Sequence, residues 1–570
     1  MENSFAKALF HGVIAEELVF PFPRPKPEQK EEIDLLVDSV KKFLGDRVDA
    51  AKIDRESRIP DEVLAGLRDL GLFGMIIPPE YGGAGVGATT YCRVMQEVAA
   101  HEASLAVTLG AHQSIGLKGI LLFGTEAQKR KYLPKLATGE WAAAFALTEP
   151  GAGSDAAGIM TTAVLDPSGD HYVLNGSKIW ITNGGFADVF TVFARTSAPQ
   201  EGVRPKITAF IVERSMGVKS GPPEHKLGIR GSSTTEIFFE DVKVPAANVL
   251  GESGRGFKVA MEILNSGRLG LAAGCVGGCR RIVAMSIERA KERKAFGRPI
   301  GSFGLIQDKI ARMMVETYAL ESVVYLTTGL VDAGVKDYSL ESAIAKVFGS
   351  ETYWRLVNES LQIAAGIGYM QEYPYERMLR DARINLIFEG TNEILRAFIG
   401  LSGLQGPGMK LAEVARAMRE PIKGFGLLSE FAIHKVRTVM GRERLTRVHP
   451  ALKRESVIFE EYVGELAKNA EKVLRKHGKD IAEMQFTQRR IADLVTDLYA
   501  MAAVLSRATA SLEARGEEGA AQELELATAF CDQASHRLKR NVRGFDDNDD
   551  EARKTIANKA YESGGYPFDV

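Results

Sequence analysis

The spacing of apolar residues changes twice along this 570-residue chain, and this change constrains the fold more than any other feature. From residue 28 to about 138, apolar residues recur at helical intervals, beginning with Ile33, Leu36, Val37 and Val40. From 141 to about 250 they form short or alternating runs bounded by Gly, Pro, Asn or Asp, which is typical of strands. Helical spacing then returns up to about residue 401. The sequence therefore predicts a β domain between two helical domains.

Five runs carry the strand prediction: WAAAFAL, HYVLNGSKIWIT, VFTVFAR, ITAFIVE and TEIFFEDVKV. Asn175-Gly176 separates two apolar runs within the second, and both residues tolerate positive φ, so the pair predicts a tight hairpin. In the domain that follows, helices are predicted over residues 270–293, 305–333 and 339–364. These lengths are typical of a helix bundle.

Proline and glycine mark the domain borders. A proline-rich linker covers residues 21–27, and a glycine-rich break at 400–408 precedes another helical region that reaches about residue 540. The end, rich in Asp, Asn and Gly, is predicted to fray. The predicted fold is mostly α with a central β domain, divided into an N-terminal extension (1–27), an N-terminal helical domain (28–139), the β domain (140–253), a helical bundle (254–403) and a C-terminal helical extension (404–570).

Charge and cysteine content narrow the function classes. The formal net charge is −2, whereas a nucleic-acid-binding protein needs a strongly basic face, so no nucleic-acid partner is expected. Four scattered cysteines indicate a reducing compartment, and Cys275 and Cys279 lack the histidine partners of a metal site. No apolar run approaches the roughly 20 residues that span a bilayer, and the first residues show no secretory or transit pattern. These observations predict a cytoplasmic protein without a metal.

Two segments of the predicted β domain offer groups that suit a cofactor. In ALTEPGAGSDAAG (146–158), glycines let the backbone approach a ligand, and Thr148 and Ser154 supply hydroxyls. In KIWITNGG (178–185), Trp180 and Thr182 share one strand face. Each segment also has a structural interpretation: a glycine-rich turn for the first and a core tryptophan for the second.

Three segments of the predicted bundle carry further candidates. Arg293, in RKAFGRPIGSFGLIQ, suits a phosphate but also an ordinary solvated surface. The small residues of 362–381 suit either a nucleotide at a helix end or close helix packing. Glu389 follows Leu386-Ile387-Phe388 and precedes Gly390. In a dry cleft its pKa rises and it becomes a competent base, whereas the alternative is a helix cap or surface acid.

These segments, in this order, resemble the acyl-CoA dehydrogenase family. ALTEPGAGSDAAG fits the family's leading signature, and the second signature fits 362–381 except at Ala365, where the pattern has glycine. YGG at 81–83 and FEGTNEILR at 388–396 are also similar to the family's. The similarity runs from about residue 5 to 403. The family's very-long-chain branch is resembled most, in LGAHQSIGLKGILLFGT, in SFGLIQDKIARM, which contains Gly304, and in the long tail.

The resemblance implies a helical domain, a β-barrel-like domain and a four-helix bundle that bind FAD, with Glu389 as the catalytic base. Some relatives place the base just before the arginine equivalent to Arg268, but here that residue is Gly267. For the substrate the resemblance implies Ser154, Asn265, Arg268 and Gly390, and for FAD of the same or a neighbouring subunit Phe145, Leu147, Thr148, Gly153, Ser154, Trp180, Ile181, Thr182, Arg293, Phe296, Gln362, Gly366, Thr391, Asn392 and Glu393.

The implied reaction converts a long-chain or very-long-chain acyl-CoA to a trans-2-enoyl-CoA and passes the electrons to an electron-transfer flavoprotein. Ala103, Ser104, Leu105 and Ala106 are expected near the pocket floor, and chains on the order of a dozen carbons or more are predicted. A flavin oxidase and a non-catalytic assembly protein remain alternatives. The tail favours a homodimer.

A basic segment, residues 435–454, suggests peripheral contact with an anionic membrane at its inner face, with a solvated loop as the equal alternative. Its cations are Lys435, Arg437, Arg442, Arg444, Arg447, Lys453 and Arg454.

Overall fold

The computed structural model describes residues 4–197, 205–419 and 443–569. The chain divides into two compact units, Pro23–Asn392 and Met1–Phe22 with Glu393–Val570. The first contains helices, a sheet and a helix bundle, and the second is helical in its described part. This confirms the predicted fold class, mostly α with a central β domain.

Except for Phe5–Leu9 and Asp550–Ser563, the described α-helices lie in the predicted helical regions. In chain order they are α1 (Phe5–Leu9), α2 (Pro27–Arg47), α3 (Ala50–Glu56), α4 (Asp61–Asp69), α5 (Ala88–His101), α6 (Ala103–Gly110), α7 (Lys118–Phe123), α8 (Glu126–Thr138), α9 (Gly256–Glu292), α10 (Gly304–Asp332), α11 (Ser339–Ala364), α12 (Pro374–Ala382), α13 (Asn392–Arg419), α14 (Lys453–His477), α15 (Gln485–Gly519), α16 (Ala521–Arg543) and α17 (Asp550–Ser563).

The central sheet contains the five predicted strands and three others. The strands are β1 (Ala143–Ala146), β2 (Thr162–Leu165), β3 (His171–Thr182), β4 (Val189–Arg195), β5 (Ile207–Glu213), β6 (Lys219–Pro223), β7 (Thr234–Pro245) and β8 (Val249–Leu250), with β9 (Lys294–Ala295) and β10 (Arg298–Pro299) forming a separate pair. The sheet order is β6-β7-β3-β2-β4-β5-β8, and β1 pairs with β4 in parallel. Along β4, Phe190 and Val192 pack on one face while Val189 and Phe193 pack on the other, so the sheet is buried on both sides there.

The hairpin predicted at Asn175-Gly176 is wrong, because both residues lie inside β3. The pairing of β3 with β7 shifts just before Gly176, whose φ is 145°. A Cβ at this position would come within 2.6 Å of the Thr161 hydroxyl oxygen, so the glycine permits a bulge. The turn that actually joins β2 to β3 is closed by the Asp166 N–H, which donates to the His171 carbonyl at 2.9 Å.

Helices α5, α9 and α11 pack closely through glycines of α9. A Cβ at Gly277 would lie 1.9 Å from the Gln96 carbonyl oxygen of α5, and one at Gly278 would lie 2.5 Å from the Tyr353 ring of α11. The Ser286 and Ser360 hydroxyls meet at 2.9 Å further along the same two helices, so α9 and α11 run side by side in one direction. Small residues in α9 therefore allow three helices to converge at the cleft described below.

A π-helical turn, Ala111–Gly116, joins the N-terminal helices to the sheet. The buried His112 accepts a hydrogen bond from the Ala143 N–H at Nδ1, while Nε2 lies 3.1 Å from the carbonyl oxygens of Phe73 and Leu136. Burial lowers the pKa of His112 to about 4, which keeps the ring neutral. This imidazole fixes the turn beside the start of β1.

In the second unit, the break predicted at residues 400–408 is wrong, because α13 continues through it. A Cβ at Gly403 would lie 2.0 Å from the Phe10 ring, and one at Gly400 would lie 3.0 Å from the Gln488 carbonyl oxygen. These glycines allow close packing of the helix. The fraying predicted for the last residues is wrong for α17, which is helical and whose Asp550 pairs with Arg490 at 2.6 Å, whereas residues 564–569 beyond it are exposed and form no helix or strand.

Two described stretches, Ala103–Phe123 and Gly256–Glu292, are long and apolar enough to cross a membrane, each with a mean hydropathy of 1.2. Buried core helices share these properties, and 61% and 56% of the two apolar windows is buried inside the protein. Their packing around the cleft favours core helices.

Candidate active site

An open cleft lies between the helices and the sheet of the first unit. It holds about 830 Å³ of space between atoms, part of it open to solvent. The walls come from α5, α6, the π-helical turn, α9, α11 and the end of β3. Residues on these walls include Tyr91, Met95, Ala99, Ala103, Ala106, Ser114, Thr182, Ile229, Gly270, Gly274, Tyr353, Asp381, Phe388 and Glu389. The lining is therefore mostly apolar, and its carboxylates are Asp381 and Glu389.

Glu389 presents an unpaired carboxylate to this cleft. Its Oε2 is buried and has no hydrogen-bond partner among the described residues. Burial raises the pKa of Glu389 to about 7, while the nearby cations of Arg268 and Lys346 act in the opposite direction. A carboxyl group with this pKa releases and accepts a proton near neutral pH.

The backbone at Glu389 is left-handed, with φ of 60°, and that of Gly390 is also positive at 92°. Two successive positive φ values turn the chain sharply between the 3₁₀ turn Arg383–Leu386 and α13. The Glu389 N–H makes no hydrogen bond within the described part of the chain. It is therefore available as a donor to a ligand in the cleft.

Gly267 of α9 leaves the room that the carboxylate occupies. A Cβ at residue 267 would lie 2.8 Å from both Oε1 and Oε2 of Glu389. A side chain there would push the carboxylate away. The position immediately before Arg268 is thus filled by the carboxylate of residue 389.

Two buried cations hold the turn. Arg268 donates from Nε to the Glu389 carbonyl at 3.2 Å and from Nη1 to the Asn265 Oδ1 at 3.2 Å. Lys346 donates from Nζ to the Gly390 carbonyl and to the Asn392 Oδ1, both at 2.8 Å. The structure thus brings Asn265, Arg268 and Gly390, three residues predicted from sequence for the substrate, beside the predicted base.

The two candidate cofactor segments of the β domain, residues 146–158 and 178–185, meet beside the cleft. Thr182 lines it, and Trp180 is 62% exposed with a φ of 56°. The Ile179 N–H donates to the Thr148 carbonyl at 3.0 Å, which joins the two segments. Gly153 and Ser154 are exposed in the same loop. An exposed tryptophan next to a cleft is a suitable platform for an aromatic cofactor.

Three of the predicted cofactor residues lie inside the protein. Leu147 and Ile181 are buried in the two cores of the sheet, and the Phe145 ring packs 5.1 Å from the Phe193 ring. Their side chains therefore support the strands.

Arg293, Phe296, Gln362 and Gly366 lie at the far end of the bundle. All four are exposed, and Phe296 reaches 95%. Along α9, Arg293 is about 39 Å from Gly267 at 1.5 Å per residue. The structure therefore separates these four from the Glu389 cleft of the same chain.

The remaining predicted residues follow Glu389 directly. Thr391 is half-buried, and Glu393 is exposed in the first turn of α13. Asn392 is buried, and its amide donates to Ser350 at 3.0 Å and to Glu351 at 3.2 Å. The Asn392 side chain is thus engaged within the protein.

Two buried lysines near the site are absent from the sequence prediction. Lys346 stands among the apolar and small residues of AIAKVFG, where residues 341–350 are all buried. Lys178 is fully buried and donates to Glu149 at 2.7 Å and to the Leu147 carbonyl at 3.1 Å. Glu149 also accepts from the Thr161 N–H at 3.0 Å, so this ion pair fixes the loop that carries Thr148. A lone lysine within an apolar run was the available indication for both.

The predicted membrane segment is described only from residue 443 onward, and Lys435, Arg437 and Arg442 lie outside the described residues. Of its other cations, Arg447 donates to the Phe20 carbonyl at 2.8 Å, and Arg454 pairs with Asp532 at 2.7 Å. Among the described residues, no group of three or more His, Cys, Asp or Glu is placed to hold a metal ion, and the four cysteines are free and buried.

Family comparisons match most of the chain. Residues 30–140, 144–242 and 254–404 match the N-terminal, middle and C-terminal domains of acyl-CoA dehydrogenase, and residues 450–566 match the ACAD9/ACADV C-terminal domain. The chain belongs to the acyl-CoA dehydrogenase family and is an acyl-CoA dehydrogenase. The resemblance predicted from the sequence is therefore confirmed.

Individual relatives narrow the class further. The human mitochondrial very long-chain specific acyl-CoA dehydrogenase is 46% identical over 549 residues, which are 95% of this chain and 84% of that protein. The crystal structure of an acyl-CoA dehydrogenase complexed with FAD from Bacillus anthracis matches with a TM-score of 0.81 and 35% identity, covering 96% of this chain and 94% of that one. A chain in a structure described as the electron transferring flavoprotein of Acidaminococcus fermentans matches with a TM-score of 0.63 and 38% identity, covering 66% and 98%. The chain is thus similar over nearly its full length to a very long-chain specific acyl-CoA dehydrogenase.

Proposed function

We propose that this acyl-CoA dehydrogenase oxidises long-chain acyl-CoA thioesters to trans-2-enoyl-CoA, with Glu389 as the base and FAD as the cofactor. The observation that carries the proposal is the Glu389 carboxylate, which lines the cleft and whose buried Oε2 has no hydrogen-bond partner in the part of the chain that the structure describes. A purely structural role does not explain such a group, because a buried carboxylate oxygen without a hydrogen bond destabilises the fold. It suits a group that must take a proton from a ligand.

Proton removal needs more than a base, because the α-proton of a thioester is a weak acid. Charge develops on the thioester oxygen as the proton leaves, and donors aimed at that oxygen stabilise it. The Glu389 N–H, which has no acceptor in the described residues, supplies one such donor. One preorganised donor contributes roughly 3 kcal/mol to lowering the barrier.

The residues beside the cleft fit FAD. The exposed indole of Trp180, the cleft-lining Thr182 and the open loop at Gly153 and Ser154 would hold it next to Glu389. When bound, FAD accepts the hydride that leaves the β-carbon. The protein therefore has to hold the acyl chain with its α-carbon toward the Glu389 carboxylate, and the apolar walls exclude water around it.

The length of the cleft supports a long-chain substrate. Glu389 contacts α9 at Gly267, and Tyr353 lines the cleft opposite Gly278, about 16 Å further along the helix. Ala103 and Ala106 line the same space, whereas Ser104 accepts from the Gly231 N–H at 3.1 Å and Leu105 is buried elsewhere. Only two methyl groups of that segment therefore narrow the channel.

A homodimer and an electron-transfer flavoprotein complete the proposal. Arg293, Phe296 and Gln362 are exposed, and Arg293 is about 39 Å along α9 from Gly267, which supports their binding to the FAD of a neighbouring subunit. The match to a chain in an electron transferring flavoprotein structure supports that acceptor.

Anaerobic mixing with acyl-CoAs of graded chain length tests this function. Bleaching of the flavin should be fastest for long chains and should be lost in Glu389→Gln. Full-speed bleaching by Glu389→Gln would contradict the base assignment. Rapid recovery of the colour in air, without a flavoprotein acceptor, would favour an oxidase, and no bleaching with any acyl-CoA would favour an assembly protein.

A further inference from the structure

We propose that Lys346 is a positioning residue for the Glu389 base, holding the left-handed turn at residues 389–390 and favouring the ionised carboxylate between turnovers. This inference rests on the proposed role of Glu389. Lys346 is itself fully buried, and its ammonium group donates to the Gly390 carbonyl and the Asn392 Oδ1, both at 2.8 Å.

The contacts explain how a lysine on α11 controls a turn that is distant in sequence. The carbonyl of Glu389 accepts from Arg268, and the next carbonyl, that of Gly390, accepts from Lys346. Two consecutive peptide groups are thus fixed by cations from two different helices. Because left-handed backbone at a non-glycine residue costs free energy, such external contacts are needed to keep it populated.

The anchor is itself held in place. Asn392 accepts from Lys346 and donates to Ser350 at 3.0 Å and to Glu351 at 3.2 Å, so α11 contacts the turn at Gly390 and again at Asn392. The side chain of Lys346 gains no paired carboxylate from these contacts. A buried ammonium without one is costly, which argues for a role beyond filling space.

The charges that face the base come from two helices, α9 and α11. Arg268 and Lys346 both lower the pKa of Glu389, against the larger effect of burial, which raises it. Tyr91 also faces Glu389, and Cys275, Arg268 and Glu351 face Lys346. Burial lowers the pKa of Lys346 to about 8, so its amine is charged in the range where Glu389 titrates. Removing this positive charge must therefore raise the pKa of Glu389.

Three variants separate position from charge. Lys346→Met removes both the donors and the charge, Lys346→Gln keeps a donor without the charge, and Lys346→Arg keeps both. Lys118→Met is the matched control, because Lys118 is another largely buried lysine, on α7, whose pKa is lowered by burial alone. FAD content and thermal unfolding are measured first to confirm that each variant is folded.

Flavin reduction is then followed against pH. We expect Lys346→Met to slow it by about 10- to 100-fold, since displacing a reacting group by up to 1 Å has effects on the order of 10²-fold. In both Lys346→Met and Lys346→Gln, we expect the acid limb of the pH–rate profile of flavin reduction to move up by roughly one pH unit. The loss in rate should be smaller in Lys346→Gln than in Lys346→Met. In Lys346→Arg the acid limb should return to its wild-type position. Lys118→Met should match the wild type.

An infrared titration of the Glu389 carboxyl, assigned by its loss in Glu389→Gln, repeats the measurement without turnover. The inference is overturned if, in Lys346→Gln and Lys346→Met, both the acid limb of the pH–rate profile and the infrared pKa of Glu389 stay at their wild-type values. If Lys346→Met loses FAD, Lys346→Gln alone decides. If Glu389→Gln reduces flavin at full speed, the base assignment fails, while the infrared titration still tests the effect of Lys346 on Glu389.

Discussion

Substituting Gly267 by alanine tests the geometry of the site most directly. The added Cβ would lie 2.8 Å from both carboxylate oxygens of Glu389, which is about 0.6 Å inside ordinary van der Waals contact. The two oxygens are equidistant, so rotating the carboxylate does not relieve the contact and the side chain must move away. Because a misplacement of about 1 Å can cost 10²-fold in rate, we expect flavin reduction to slow by about 10- to 100-fold.

The assay is anaerobic stopped-flow reduction of the bound flavin by a saturating long-chain acyl-CoA. Alanine in a helix interior is more favourable than glycine by roughly 1 kcal/mol, so the free energy of unfolding should fall little and the rate effect can be isolated. Gly45→Ala in α2, where a Cβ would meet nothing within 4 Å, is the control and should reduce flavin normally. Wild-type reduction by Gly267→Ala would show that the carboxylate does not occupy this position when substrate is bound.

Three further substitutions test the fold and its electrostatics. Because burial raises the pKa of Glu389 from 4.5 to about 7, the protein loses stability as pH rises from about 4.5 to about 7, so Glu389→Gln should raise Tm over the wild type more at pH 8 than at pH 5. Lys178→Met leaves Glu149 buried and unpaired and should cost about 3–5 kcal/mol in urea unfolding, with much of it recovered in Lys178→Met/Glu149→Leu. Gly403→Ala should lower Tm, whereas Gly408→Ala, whose nearest contact would be 3.6 Å, should not; equal effects would contradict the packing.

Local pattern predicted the elements of the fold well, and the errors have a common cause. The strand around Ile179 and the helix at Ser339–Ala364 follow from apolar spacing, which is a local property. The sequence pattern predicts a turn at Gly176 and a break at Gly403, yet each is glycine because a side chain distant in sequence, Thr161 or Phe10, approaches it. Turn chemistry and close packing use the same residue, and the sequence alone does not separate them.

The sequence predicts only part of the candidate site, because contacts between residues distant in sequence form the rest. The apolar run before Glu389 indicates that this residue lies in a dry environment. Its role as the catalytic base comes from the resemblance to the acyl-CoA dehydrogenase family. Nothing local to Glu389 reveals that Gly267 makes room for it or that Lys346 holds its turn, since these residues are 122 and 43 positions away. Only the packing of α9 and α11 against the turn brings them together.

The same two cations act on the position of the base and on its acidity. Gly267 and the two carbonyl contacts determine where the carboxylate lies, whereas burial, opposed by Arg268 and Lys346, determines its pKa. A hydrogen bond to Oε2 would have fixed the position too, but it would also have stabilised the ionised form and weakened the base. The cations therefore orient Glu389 through its backbone, and although they lower its pKa, burial keeps that pKa raised while Oε2 has no hydrogen-bond partner among the described residues.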